Sequence, residues 1–153
     1  MKEADWLEGR ASLGAAAGWK AEEIRLIADL GHALAQQGRN DEALLIFLGL
    51  AALAPATGYF QSALGAIFLR LGEFDQALFH LNTALKLDPR DLAAYVNRGE
   101  AFLRVNQSDA AKRDLRMALA VAENLTPDDS NSPYLARAKA LLSYLSSPAL
   151  LLI

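Results

Sequence analysis

The residue types that most often carry chemistry are sparse in this chain, and their spacing limits what they can do. There are two histidines, His32 and His80, and no cysteine among 153 residues. Without thiols there is neither a disulfide scaffold nor a thiolate metal site. The two histidines fall on different predicted helices and on opposite faces, so they cannot share a metal ion or a proton. His32 is placed to meet a ligand, whereas His80 is expected on a solvated surface. Asp128-Asp129 resembles a fragment of a calcium loop, but the alternating oxygen ligands and the closing glutamate are missing. Glu73 and Asp75 sit at the start of a predicted helix, where carboxylates favour the dipole. Gly9 to Gly14 has the spacing of a phosphate-binding loop, yet Ala15 stands where that loop requires lysine. The Gly14 and Gly18 pair has meaning only inside a long apolar span. No catalytic, cofactor or metal constellation is left, and the expectation is a binding protein rather than an enzyme.

Composition points the same way. The chain is 53% hydrophobic and 22% charged with a net charge of −3, which is globular and offers no basic stripe for nucleic acid. Alanine and leucine dominate over β-branched residues, which favours helix. The first residues, Met1-Lys2-Glu3-Ala4-Asp5-Trp6, are too acidic for a secretion signal. The longest apolar run, Ala43 to Ala54 counting Gly49, is about 12 residues, short of the ~20 that span a bilayer. These features predict a soluble, cytoplasmic protein with no membrane insertion.

The elements that position these residues follow from an internal repeat. At an offset of 34 the chain aligns with itself in three blocks, 24–57, 58–91 and 92–125. Leu30-Gly31, Leu64-Gly65 and Arg98-Gly99 fall in register, as do the bulky Leu34, Phe68 and Phe102. Small Ala43, Ala77 and Ala111 follow, then bulky Phe47, Leu81 and Leu115, then Leu50, Ala84 and Ala118. Pro55 and Pro89 close the first two blocks, with Glu123 in the third. Small residues let two helix backbones approach, and large ones fill the space around the contact. Gly38, Gly72 and Asn106 stand at the turns, where a left-handed conformation ends a helix. The prolines then stop the second helix of each pair.

This pattern resembles the tetratricopeptide repeat family, most completely in the second block, where only Gln61 departs from the consensus. The third block departs at Arg98 and Glu123. The resemblance implies an all-α fold, with three tandem helix-turn-helix repeats in a right-handed superhelix. An N-terminal helical segment (1–23) precedes the repeats (24–125), and a linker, capping helix and apolar tail (126–153) follow. It also implies that the first helix of each pair lines a concave groove. The groove residues are then Arg25, Ala28, Asp29, His32 and Gln36 from repeat one and Tyr59, Ser62, Ala63, Ala66, Leu69 and Arg70 from repeat two. Repeat three supplies Ala93, Val96, Asn97, Glu100 and Arg104. The family's two-carboxylate clamp for acidic chaperone tails needs lysines, asparagines and an arginine at positions held here by Ala28, His32, Ala63, Ala93 and Asn97. With no lysine among them, an extended peptide with apolar anchors is the expected partner.

The second helix of each pair should present its outer positions to solvent, as with Phe79, His80, Asn82, Thr83 and Lys86, and with Arg113, Asp114, Arg116, Met117 and Ala120. Repeat one instead has Leu45, Ile46, Leu48, Gly49 and Ala52 there. Such a face needs a cover. The N-terminal segment, with Trp6 and Trp19, and a second copy of the chain are the two candidates. Downstream, Ser132-Pro133 reads as a helix cap and first turn. The helix to about Ser146 carries Leu135, Ala138, Leu141, Leu142 and Leu145 on one stripe and caps the array. The tail Ala149 to Ile153 is expected either to fold back or to dock on a neighbouring molecule. The whole plan is similar to the class II chaperones of type III secretion, in Phe47-Leu48-Gly49-Leu50-Ala51-Ala52-Leu53 and in Phe60 through Leu78. That resemblance implies a chaperone for an extended apolar client segment and a tendency to dimerise. A repeat scaffold from another pathway is the alternative.

Overall fold

The computed structural model describes residues 18–125 and 132–147. Trp6, the 126–131 linker and the 149–153 tail therefore lie outside the described residues. Within them the chain forms seven α-helices and no strand: α1 (Ala21–Gln36), α2 (Asn40–Leu53), α3 (Gly58–Leu71), α4 (Phe74–Leu87), α5 (Leu92–Arg104), α6 (Ser108–Ala122) and α7 (Pro133–Leu145). They pair in sequence as α1/α2, α3/α4 and α5/α6, with α7 against α5 and α6. This is the helical-repeat architecture expected from the sequence.

The turn within each pair is built the same way three times. Gly38, Gly72 and Asn106 have φ of 76°, 78° and 62°. The residue after each donates its N–H to the carbonyl five positions back: Arg39 to Leu34, Glu73 to Phe68 and Gln107 to Phe102, at 2.8–2.9 Å. Carbonyls left open at the helix end are thereby satisfied. The carbonyls of Arg39, Glu73 and Gln107 in turn accept from Ala43, Ala77 and Ala111. One residue thus closes the first helix and opens the second. At the other end of each repeat, Ala54 (φ −140°, ψ 73°) and Asp88 (φ −137°, ψ 97°) leave the helical region ahead of their prolines, whereas Glu123 keeps helical dihedrals. The restriction imposed by a following proline accounts for that difference.

Close helix approach is equally regular. A Cβ at Gly31 would lie 2.8 Å from Phe47, at Gly65 2.4 Å from Leu81, and at Gly99 3.0 Å from Leu115. Those partners are buried to within 1% and belong to two apolar clusters. One is centred on α1–α3 around Ile24, Phe47, Leu50, Leu64 and Ile67. The other runs from α4 through α6 to Ala138 of α7.

One register position was misread from the sequence in all three repeats. Ile46, His80 and Asp114 are 34 residues apart and were each expected on the outer face. Instead Ile46 is half-buried, with its methyl 2.9 Å from where a Gly31 Cβ would stand. His80 is half-buried, stacked on Phe68 with 5.4 Å between centroids, and its Nδ1 lies 2.8 Å from Gln61 Oε1. An amide oxygen only accepts, so Nδ1 carries the proton. Asp114 is 6% exposed and takes both forks of Arg98, Nε and Nη2, at 2.7 Å. Arg98 also donates to Asn82 Oδ1 and lies over the Tyr95 and Phe102 rings. The position immediately precedes the bulky residue packed on the glycine, so it leans toward the first helix. The departures at Gln61 and Arg98 are therefore paired: each supplies the partner that a polar residue here requires.

The capping helix starts as expected, with Ser132 accepting from the Tyr134 N–H at 3.3 Å and proline in the first turn. Leu135 and Ala138 are buried. On α2, Leu45 is 71% and Leu48 41% exposed, so the described residues leave this face largely uncovered.

Candidate functional site

Each first helix carries a stripe at i, i+4, i+7 and i+11, a spacing that keeps side chains on one face. On α3 the stripe is Tyr59, Ala63, Ala66 and Arg70, and on α5 it is Ala93, Asn97, Glu100 and Arg104. These two stripes face a concavity made of two adjoining hollows, of about 140 and 170 Å³. The hollows meet at Ala66, Arg70, Asn97 and Tyr134. The first takes in His32 and Ala35 of α1, Tyr59, Ser62 and Ala63 of α3, and Asp91 and Ala93 beside α5. The second takes in Leu69, Gly72, Glu100, Arg104 and Arg137. Neither reaches the roughly 300–1,000 Å³ of small-molecule sites. Their size suits single side chains presented along a strand of peptide.

Eleven of the sixteen residues read as groove positions border this concavity: His32, Tyr59, Ser62, Ala63, Ala66, Leu69, Arg70, Ala93, Asn97, Glu100 and Arg104. Arg25, Ala28, Asp29, Gln36 and Val96 do not. Arg25, Asp29 and Gln36 are exposed on α1, where only His32 and Ala35 reach the hollow. Gln36 instead bonds His32 at 3.1 Å. Val96 is fully buried in the second core cluster. Its equivalents Ala28 and Ser62 are buried too, because this position lies roughly 70° round the helix from the centre of the stripe.

Sequence reasoning missed what α7 brings. Tyr134 borders both hollows, and Arg137 borders the second. Arg137 donates to Asn97 Oδ1 at 3.4 Å and is ion-paired with Glu100. Their i, i+3 spacing, beside rather than on the Leu135–Ala138 stripe, was the available signal.

The floor is small and apolar at Ala63 and Ala66. Tyr59, 52% exposed, stands at one side, edge-on to Phe47 and Phe60 with centroids 6.1 and 5.9 Å away. Burial, and then the charge of Asp29 and the Tyr134 phenol, push its phenol above the usual range. Arg70 reaches from α3 to the carbonyl of Ala35 at 3.2 Å, tying the rim to the end of α1. Arg104 lies 5.0 Å over the Phe74 ring. Among the described residues no cluster of His, Asp or Glu could hold a metal ion, and no helix is long and apolar enough to cross a membrane. On the outer side of repeat one, Trp19 is 39% exposed and borders a shallow depression with Leu26 and Ile27 of α1.

Comparison with known proteins places this architecture. A family model for the tetratricopeptide (TPR) repeat matches residues 65–106, from the middle of α3 to just past α5. The chain is 42% identical over 48 residues to the TPR repeat-containing thioredoxin TDX of Arabidopsis thaliana, covering 31% of this chain. It spans only 13 to 15% of the length of the curated relatives it matches. Solved structures agree over far more of the fold. The type III secretion translocator chaperone SycD of Yersinia enterocolitica superposes with a TM-score of 0.78 at 18% identity, over 89% of this chain and 99% of that one. PcrH of Pseudomonas aeruginosa, solved in complex with the chaperone-binding region of PopD, gives 0.76 at 26% identity over 84% and 95%. With a repeat match at residues 65–106 and this helix plan, the chain has a tetratricopeptide-repeat fold similar to that of the type III secretion translocator chaperones.

Proposed function

We propose that the concavity holds an extended, largely apolar peptide segment of a partner protein, and that the protein acts as a cytoplasmic chaperone of the type III secretion kind. The observation that carries this reading is the pair of adjoining hollows floored by Ala63 and Ala66 and bordered by Tyr59, Asn97 and Tyr134. Small side chains leave room for a ligand's anchors, and the surrounding aromatic and polar groups suit a peptide's mixed surface. The complex of PcrH with a segment of PopD supports the same use of a similar fold. The test begins with the client that co-purifies with the protein from its native host. Ala66→Glu places a charge on the groove floor and should weaken that client's binding at least tenfold while helix content and melting stay unchanged. Unaltered affinity would move the site elsewhere.

A scaffold that uses its outer face is the second reading, favoured by the exposure of Phe79 (62%) and Met117 (47%) on α4 and α6. Under it, Phe79→Ser would abolish partner binding and Ala66→Glu would not. The exposed Leu45 and Leu48 on α2 call for a cover, which we assign to the segment containing Trp6 or to a second copy in a homodimer. Deleting residues 1–20 should then lower solubility or change oligomeric mass. A deletion variant unchanged in both would remove that assignment.

A further inference from the structure

We infer that the α5–α7 end of the groove is a subsite for a carboxylate side chain, an aspartate or glutamate placed beside the apolar anchors of the bound peptide. The inference rests on the groove reading and adds to it a chemical requirement on the ligand. Around the 170 Å³ hollow stand three guanidinium groups, Arg70, Arg104 and Arg137, and one carboxylate, Glu100. They come from three elements, α3, α5 and α7, so the excess of positive charge is not a run along one solvated helix face. Each guanidinium is already oriented. Arg70 is fixed by the Ala35 carbonyl, Arg104 by the Phe74 ring, and Arg137 by Asn97 and Glu100. A guanidinium has five N–H donors, so these contacts leave donors to spare on each group. Pre-oriented forks of this kind suit a planar carboxylate, which can accept two parallel bonds.

Two further observations agree. After burial, the charge of Arg70 is what lowers the Arg137 pKa, so these like charges are close and an incoming anion would relieve their repulsion. The first hollow sets the single carboxylate of Asp91 against Arg70, so the excess of positive charge sits at the α5–α7 end, which would set the direction in which a peptide lies. These cations occupy register positions other than those of the clamp for acidic tails, and one of them lies outside the repeats.

The test is a selection of random twelve-residue peptides on the full-length protein, displayed both inside a fusion and with a free C-terminus. The expected winners combine apolar anchors with an acidic residue at a fixed offset, in both formats. Changing that Asp to Asn should weaken binding roughly tenfold, the worth of one charge-assisted contact. Arg70→Gln and Arg104→Gln should each weaken the Asp peptide and leave the Asn peptide unaffected, with unchanged circular dichroism. Arg137→Gln also loses its pair with Glu100, so it is read against the double variant Arg137→Gln/Glu100→Gln, in which no charge is stranded. If the peptides lose binding to Ala66→Glu but bind equally as Asp or Asn, the subsite is wrong and the groove stands. If the acid is needed only as a free C-terminus, the side-chain assignment is overturned. If no selected peptide responds to Ala66→Glu, the groove and the subsite fall together.

Discussion

Two glycines of the same kind in sequence have opposite meanings in space. Gly65 sits against Leu81, where a Cβ would have to displace the side chain's branch point, whereas Gly49 on α2 has no heavy atom of the described residues within 4 Å. Gly65→Ala should therefore cost about 1–3 kcal/mol through overpacking. Gly49→Ala should stabilise by about 0.5–1 kcal/mol through reduced chain entropy. Urea unfolding of both variants checks the pair. His80 makes a second residue-scale prediction. Burial holds its imidazole below the ordinary value of 6.5, so the fold favours the neutral ring. The unfolded chain then takes up the proton first as pH falls. Stability contributed at this site is complete above about pH 6.5 and declines on acidification toward the lower, folded-state pKa. His80→Phe should flatten that decline in urea midpoints measured from pH 7.5 to 5, whatever it does to stability at pH 7.5. The turn residues and close-approach glycines could be read from spacing alone, because a φ above zero or a missing Cβ admits few residue types. His80 could not, because its burial depends on Gln61, a residue of another helix that looked like a flaw in the consensus.

At the scale of elements, the α4–α5–α6 junction turns on Arg98 and Asp114. Asp114 is nearly buried and the Arg98 side chain is about one-fifth exposed (21%). Asp114→Ala should cost about 2–3 kcal/mol, somewhat below a fully buried pair because water still reaches the guanidinium. Arg98→Leu/Asp114→Ile puts the residues of Leu64 and Ile46 at the equivalent places and should come within about 1 kcal/mol of the parent. A thermodynamic cycle over the two single variants and the double variant measures the coupling. The repeat register made the helices and their pairing legible, down to the start of α7 at Pro133. It did not reveal that His80 and Asp114 turn inward, because polar residues at a position usually signal solvent, and in repeat one Ile46 stands among apolar neighbours on every side. Nor did it place Tyr134 and Arg137 in the groove. The packing of α7 against α5 and α6 decides that, and the repeat period does not encode it.

Along the described helices the first-helix stripe changes from Arg25, Asp29, His32 and Gln36 on α1, through Tyr59, Ala63, Ala66 and Arg70 on α3, to Ala93, Asn97, Glu100 and Arg104 on α5. Among the described residues the stripes of α3 and α5 and the start of α7 border the groove, and α1 adds His32 and Ala35. An apolar floor running to a positive end is the chemistry that an extended, oriented peptide would use, and it is the feature on which the proposed chaperone role depends. The most direct measurement is an amide shift map of ¹⁵N-labelled full-length protein titrated with a bound client segment or a selected peptide. Saturable shifts should centre on Tyr59, Ala63, Ala66, Asn97 and Tyr134 and spare Phe79, Arg113 and Met117. Shifts centred on those outer residues of α4 and α6, with the groove silent, would contradict a groove-binding function.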